Sequence, residues 1–184
     1  MKRKLLLIVI AMIVTMTCFA QEQPSRIDFK AGAGVGFMGS GDVLTLSFDN
    51  ELDYKLNAYI TAAAAVGIGR SFETKDDKND YLQGSLTMFV SPFRNDRKNN
   101  FRIGLGYTFI NETRLYQTYA YNPQDPKPIV YDYFTANEHA FNFIIGYDYK
   151  YSDRYSIGAK AFTIGSSGSG GILTGAMLVF GIVL

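Results

Sequence analysis

Side chains alternate with a period of two residues through most of the chain from residue 28 to residue 184, and no other feature limits the fold as strongly. Successive residues of a strand point to opposite faces, so runs of this kind read as strands with one buried face. Eight such runs are present, over 28–38, 42–50, 57–72, 81–93, 101–110, 140–150, 155–164 and 172–184. In the first, Phe29, Ala31, Ala33, Val35 and Phe37 alternate with Lys30, Gly32, Gly34, Gly36 and Met38. In the fifth, Phe101, Ile103, Leu105, Tyr107 and Phe109 oppose Arg102, Gly104, Gly106 and Thr108. The connections after odd strands (39–41, 73–80, 111–139, 165–171) include the longest, and those after even strands (51–56, 94–100, 151–154) are short.

The first twenty residues are of another kind. Lys2, Arg3 and Lys4 precede an unbroken apolar run over 5–14, and Cys18-Phe19-Ala20 ends in a small residue before Gln21. That is the pattern of a secretory signal peptide, expected over 1–20 with cleavage after Ala20. The run is too short for a spanning helix, which needs about 20 apolar residues. A lipidated Cys18 is the rival reading, and Thr15-Met16-Thr17 makes a poor lipobox. Residues 21–184 then form one exported domain without cysteine, so neither a disulfide framework nor a cysteine zinc site is available to it. Lys and Arg number 18 against 17 Asp and Glu, which gives no basic footprint for nucleic acid.

Alternation fits two solvents. A soluble barrel turns its apolar face inward, and a membrane barrel turns it to lipid. Three features favour lipid. Segments 58–69 and 161–184 contain no Asp, Glu, Lys or Arg, so a soluble barrel would expose a face of each without charge. The face opposite the apolar one is rich in glycine, as suits an eight-stranded interior just wide enough for side chains. Phe72, Tyr81, Phe93, Phe101, Tyr107, Phe109, Tyr147, Tyr149 and Tyr155 gather near strand ends, where aromatic girdles sit at lipid–water boundaries.

Together the export signal, the eight runs and the glycine-plus-aromatic composition resemble the small eight-stranded outer-membrane β-barrel proteins of Gram-negative bacteria, the OmpX/OmpW-like, porin-like class. The resemblance covers the whole mature chain and is architectural, without a short diagnostic motif. It implies an all-β, antiparallel, up-and-down transmembrane barrel in the cell outer membrane, reached by signal-directed export. It also implies outer-membrane lipid as surroundings and the barrel insertion machinery as a partner during assembly. In that class the last strand commonly ends in an aromatic residue, whereas Phe180-Gly181-Ile182-Val183 is followed here by Leu184.

Motifs for chemistry are scarce. Enzymes of this class resemble a Ser/His hydrolase or an acyltransferase, and the single His, His139, has Phe141 where a deacylase-like pattern would place Ser. The charged segment 75–80 lacks the Asp-x-Asp-x-Asp-Gly spacing of a calcium loop. Asn111-Glu112-Thr113 matches a glycosylation sequon, and Gly32, Gly34 and Gly36 are spaced by two on a strand rather than in a nucleotide fingerprint. No catalytic, metal or cofactor site is therefore expected. Lys30, Asp49, Arg102, Asp148, Lys150 and Lys160 fall on the glycine side and are expected to line the lumen as paired or hydrated charges.

The segment 114–138 is the other candidate. It carries Tyr116, Tyr119, Tyr121, Tyr131 and Tyr133 around Pro123, Pro126 and Pro128, and Tyr suits adaptable recognition surfaces. Residues 115–119 and 129–133 are expected to pair as an extension of the fifth and sixth strands. The leading expectation is a non-enzymatic barrel with a structural or surface-interaction role through its external loops and an unidentified surface partner. A narrow channel for small or apolar solutes comes second, and a lipid-modifying enzyme last.

Overall fold

The computed structural model describes residues 26–39, 43–72, 79–118, 130–166 and 172–184, of which 114–118, 130–133 and 166 are described by their backbone. The expected signal peptide, with Cys18, lies outside these residues. Eight strands follow one another around a closed antiparallel barrel: β1 (Ile27–Met38), β2 (Val43–Lys55), β3 (Ile60–Ser71), β4 (Asn79–Val90), β5 (Asn99–Thr118), β6 (Val130–Lys150), β7 (Tyr155–Ser166) and β8 (Ile172–Val183). Strand β8 closes on β1 from Asp28↔Val183 to Phe37↔Thr174. Around the ring shared by all eight strands, closure satisfies both edges, which a sheet in lipid requires because hydrocarbon offers no hydrogen-bond partner.

The two faces divide as the alternation implies. Leu86, Leu105, Leu178 and Phe141 point outward with 66–75% of their surface exposed. A belt of such residues around a whole molecule far exceeds the few hundred Å² of contiguous apolar surface usual on a protein in water, and is the face a barrel presents to lipid. On β5 and β6 the belt ends at Tyr107, Phe109 and Phe141; the next outward rungs are Asn111 with Asn137 and Thr113 with Thr135.

Three boundaries differ from the sequence reading in ways that matter. Strand β2 continues to Lys55, so Glu51 and Asp53 belong to a strand rather than to a connection. Strands β3 and β4 are trimmed at the short-connection end: Ile60 opens β3, and Pro92 stands in the turn after β4. Strands β5 and β6 are 20 and 21 residues long. Their register places Leu115 opposite Tyr133 and Thr118 opposite Val130, the pairing expected for the extension. Because β4 pairs with β5 only as far as Arg114 and β6 meets β7 only from Ala140, the β5–β6 hairpin rises above the rest of the rim.

At the opposite end the three short turns, 56–59, 91–98 and 151–154, knit together. Ser91 N donates to Tyr59 O at 2.8 Å and Asn95 N to Ala58 O at 2.7 Å. Asn95 is buried in the mouth and its Nδ2 donates to Asn57 O at 2.7 Å and to Thr61 Oγ1 at 3.1 Å. Arg94 reaches this turn with φ 73°, a left-handed conformation uncommon for a residue with a side chain.

Candidate functional site

The lumen is filled by two layers. Nearer the short turns, β2 places Asp49, Glu51 and Asp53 at every second position, so three carboxylates stack on the inner face. Strands β1, β5 and β7 bring Lys30, Arg102 and Lys160 against them, and β6 adds Asp148. None of these seven is more than 6% exposed. Arg102 Nη1 lies 2.7 Å from Glu51 Oε1 and 3.0 Å from Asp53 Oδ2, and its Nε lies 3.4 Å from Asp148 Oδ2. Lys30 Nζ reaches Asp148 at 2.6 Å and Asp53 at 2.9 Å. Lys160 Nζ is 3.0 Å from Glu51 Oε2 and also pairs with Asp49. Space for the guanidinium comes from glycine: a Cβ at Gly146 would stand 2.9 Å from Arg102 Nε. Phe89, fully buried, lies under Arg102 with its ring centre 4.2 Å from Cζ, a cation–π contact.

Charges buried from water are tolerable when paired, and here each cation meets at least two carboxylates. The structure brings Lys30, Asp49, Arg102, Asp148 and Lys160, all expected on the inward face, into this one network. The sequence reading missed Glu51 and Asp53 because it ended the strand at Asn50; the signal was present in the period-two spacing of three acids. Lys150 stands apart from this network. It is half-buried at the short-turn mouth, where its Nζ donates to Asn95 O at 3.1 Å. Close by, Lys55 Nζ pairs with Asp28 Oδ1 at 2.6 Å.

Toward the hairpin end apolar side chains fill most of the lumen, with Asn79 Nδ2 donating to Glu112 Oε1 at 2.6 Å among them. Met38, Tyr81, Phe162, Ile164, Leu173 and Met177 form one buried cluster. This corrects the placing of Tyr81 in the aromatic girdle: it points inward at 4% exposure, and its hydroxyl shares a 2.7 Å hydrogen bond with Ser47 Oγ. Between the layers a cavity of about 20 Å³, on the order of one water, is lined by Asp49, Glu51, Gln83, Asn142, Lys160 and Phe162. Asn142 Nδ2 bridges the wall by donating to Thr108 Oγ1 at 2.8 Å.

His139 is on the outside. Its exposed ring lies beside Tyr107 and Phe109, with centroids 5.8 and 5.5 Å away, and its Nδ1 hydrogen-bonds the Tyr107 hydroxyl. Its contacts among the described residues include neither a serine nor a carboxylate, so the Ser/His hydrolase geometry is not assembled around it there. Of the tyrosines proposed for contact, Tyr116, Tyr131 and Tyr133 lie on the hairpin strands, opposite Asp132, Gln117 and Leu115. Tyr119 and Tyr121 lie outside the described residues.

No family model matches the chain, and no curated protein matches it in sequence. Solved structures do share its fold. Neisserial surface protein A superposes with a TM-score of 0.62 at 8% identity, over 88% of this chain and 98% of that one. Ail, the attachment invasion locus protein of Yersinia pestis, gives 0.55 at 11% identity, over 86% and 95%. The outer membrane enzyme PagL gives 0.53 at 15% identity, over 84% and 99%. The chain therefore has the eight-stranded fold of the small outer-membrane barrels, a fold that serves surface proteins and at least one enzyme.

Proposed function

We propose that this protein is a non-enzymatic outer-membrane barrel that works as a surface-interaction protein through its β5–β6 hairpin. Short turns of such barrels face the periplasm and longer connections face outward, so the hairpin end is the external one. One observation carries the reading. Residues 130–139 of β6 pair with β5 alone among the described residues, since pairing with β7 begins at Ala140. At about 3.3 Å per residue this edge is roughly 30 Å long. A strand edge presents a row of backbone N–H and C=O groups that an extended segment of another protein can extend by one more strand. The filled lumen supports a surface role over a channel, and the tyrosine-rich composition of 114–138 suits contact. The surroundings of His139 give no support to hydrolysis.

The test is replacement of 113–135 by a two-residue Asn-Gly turn, which removes most of the unpaired β6 edge, compared with the full-length protein, each carrying a photo-crosslinking residue at Asn137 on intact cells. The expected result is crosslinks to a protein partner that vanish with the replacement, while the shortened barrel keeps its faster migration when unheated and stays non-conducting in planar bilayers. A steady current through the shortened barrel would make the hairpin a gate and move the channel reading to first place. Crosslinks that survive the replacement unchanged would sink the hairpin's role.

A further inference from the structure

The two ends of the barrel carry opposite charge. The short turns 56–59, 91–98 and 151–154 hold four cations, Arg94, Arg97, Lys98 and Arg154, against two carboxylates, Asp96 and Asp153. The connecting segments at the other end, 39–42, 73–78, 119–129 and 167–171, hold three cations against five carboxylates in sequence. Arg94 is occupied by Asp96, with Nη2 2.6 Å from Oδ2 and Nε 3.1 Å from Oδ1. Arg97, Lys98 and Arg154 are exposed, and among the described residues none of them has a carboxylate partner.

These three lie on adjoining turns. Lys150 N donates to Lys98 O at 2.8 Å, which draws the β4–β5 turn against the foot of β6 and so toward the β6–β7 turn. On that second turn Arg154 O accepts from Val183 N at 2.8 Å. Aromatic groups flank the cations on the lipid side. Phe93 and Tyr151 are 62% and 52% exposed, Tyr151 stacks on Tyr155, and Lys98 Nζ stands 5.2 Å above the Tyr149 ring. Aromatic residues at this position mark the boundary of the hydrocarbon, so cations just beyond them stand at headgroup depth. At the opposite boundary the outward rungs of β5 and β6 beyond Tyr107 and Phe109 are neutral Asn and Thr pairs, and the exposed Arg70 there has Asp80 3.9 Å away. The basic patch thus belongs to one leaflet.

We infer that Arg97, Lys98 and Arg154 form a binding surface for the phosphate of anionic phospholipid headgroups in the periplasmic leaflet. A guanidinium meets phosphate through two parallel hydrogen bonds, and an ammonium meets it as a point charge. The aromatic side chains take the glycerol and upper acyl region. Selecting anionic lipid on this side alone anchors the barrel at a set depth and resists its displacement outward. The inference rests on the orientation given above and not on the hairpin's role.

The test reconstitutes the full barrel into phosphatidylcholine vesicles, with and without phosphatidylglycerol, and measures the association of spin-labelled phosphatidylglycerol relative to spin-labelled phosphatidylcholine at the protein boundary. A basic residue at an anionic surface strengthens binding by about fivefold, so the wild type should prefer phosphatidylglycerol by at least that factor at low salt, with the preference shrinking as salt rises. The triple variant Arg97→Gln, Lys98→Gln, Arg154→Gln should lose the preference while retaining faster migration when unheated. Arg70→Gln, at the external end, should leave it intact. A wild type without preference, or a folded triple variant with wild-type preference, overturns the inference. Should the triple variant not fold, the salt dependence of the wild type and Arg97→Gln alone decide. Loss of hairpin crosslinking leaves this readout untouched, so the two readings fail separately.

Discussion

The two halves of the lumen solve the same packing problem with opposite chemistry. Near the short turns, seven charged side chains fill the space and lean on one another; toward the hairpin, Met38, Tyr81, Phe162, Ile164, Leu173 and Met177 fill most of it with hydrocarbon. Both layers close the barrel, but they fail differently. The apolar layer loses what one side chain contributes when that side chain is truncated. The charged layer is interdependent, because deleting one cation strands several carboxylates in a place that water reaches poorly. The difference teaches that an inward charge in so narrow a barrel is a packing element first and a lining of a path second.

The largest effect should come from Arg102→Met, which leaves Glu51, Asp53 and Asp148 short of a counter-ion. It should cost about 4 kcal/mol in urea unfolding followed by the fraction of protein that keeps its folded mobility in unheated gels. Adding Glu51→Gln should recover part of that loss. A cost near zero for the single change would mean the charged layer is well hydrated, and the contrast between the halves would disappear. Next comes Leu173→Ala in the apolar layer, 1% exposed, at about 3 kcal/mol from lost burial and an unfilled cavity. No second substitution of a charged group should rescue it. Outside the barrel, Leu86→Arg places a cation at mid-span against lipid and should cost about 2 kcal/mol in the same assay. If Leu86→Arg proved harmless, the assignment of faces would be wrong. The smallest effect belongs to Asp96→Asn on the exposed 91–98 turn. The hydrogen bond from Arg94, with its charge, holds the Asp96 carboxyl below its ordinary value of 3.8. Its contribution is therefore present above that value and lost as pH falls through the depressed one. At neutral pH the variant's urea midpoint should match the wild type, since exposed ion pairs contribute little.

Much of this was legible in the residues. Each of the eight alternating runs corresponds to a strand, and the side assigned to Leu105, Phe143 and Ile157 is the side they occupy. Even the pairing of 115–118 with 130–133 could be read, because a hydrophobic-aromatic alternation on both sides of a proline-rich tip leaves few other registers. The errors sit where local pattern stops being informative. Glu51 and Asp53 resemble a polar connection when read alone, and only partners from β1, β5 and β7 make them lumen residues. Tyr81 stands at a strand end like the girdle aromatics, and the strand's phase, set by pairing along its whole length, turns it inward to Ser47. Phe162 and Ile164 lie in a run apolar on both faces, where period two cannot say which face is inside.

The sequence by itself determined that the chain alternates, how many times, and which faces are apolar, since a strand's two-residue period follows from local backbone geometry. Tertiary structure alone decided which charges meet. Arg102, Glu51, Asp53 and Asp148 come from three strands separated by up to 97 positions in the chain, and they touch because closure of the barrel sets the stagger between those strands. That stagger is a property of the closed ring of pairings, which no single strand encodes.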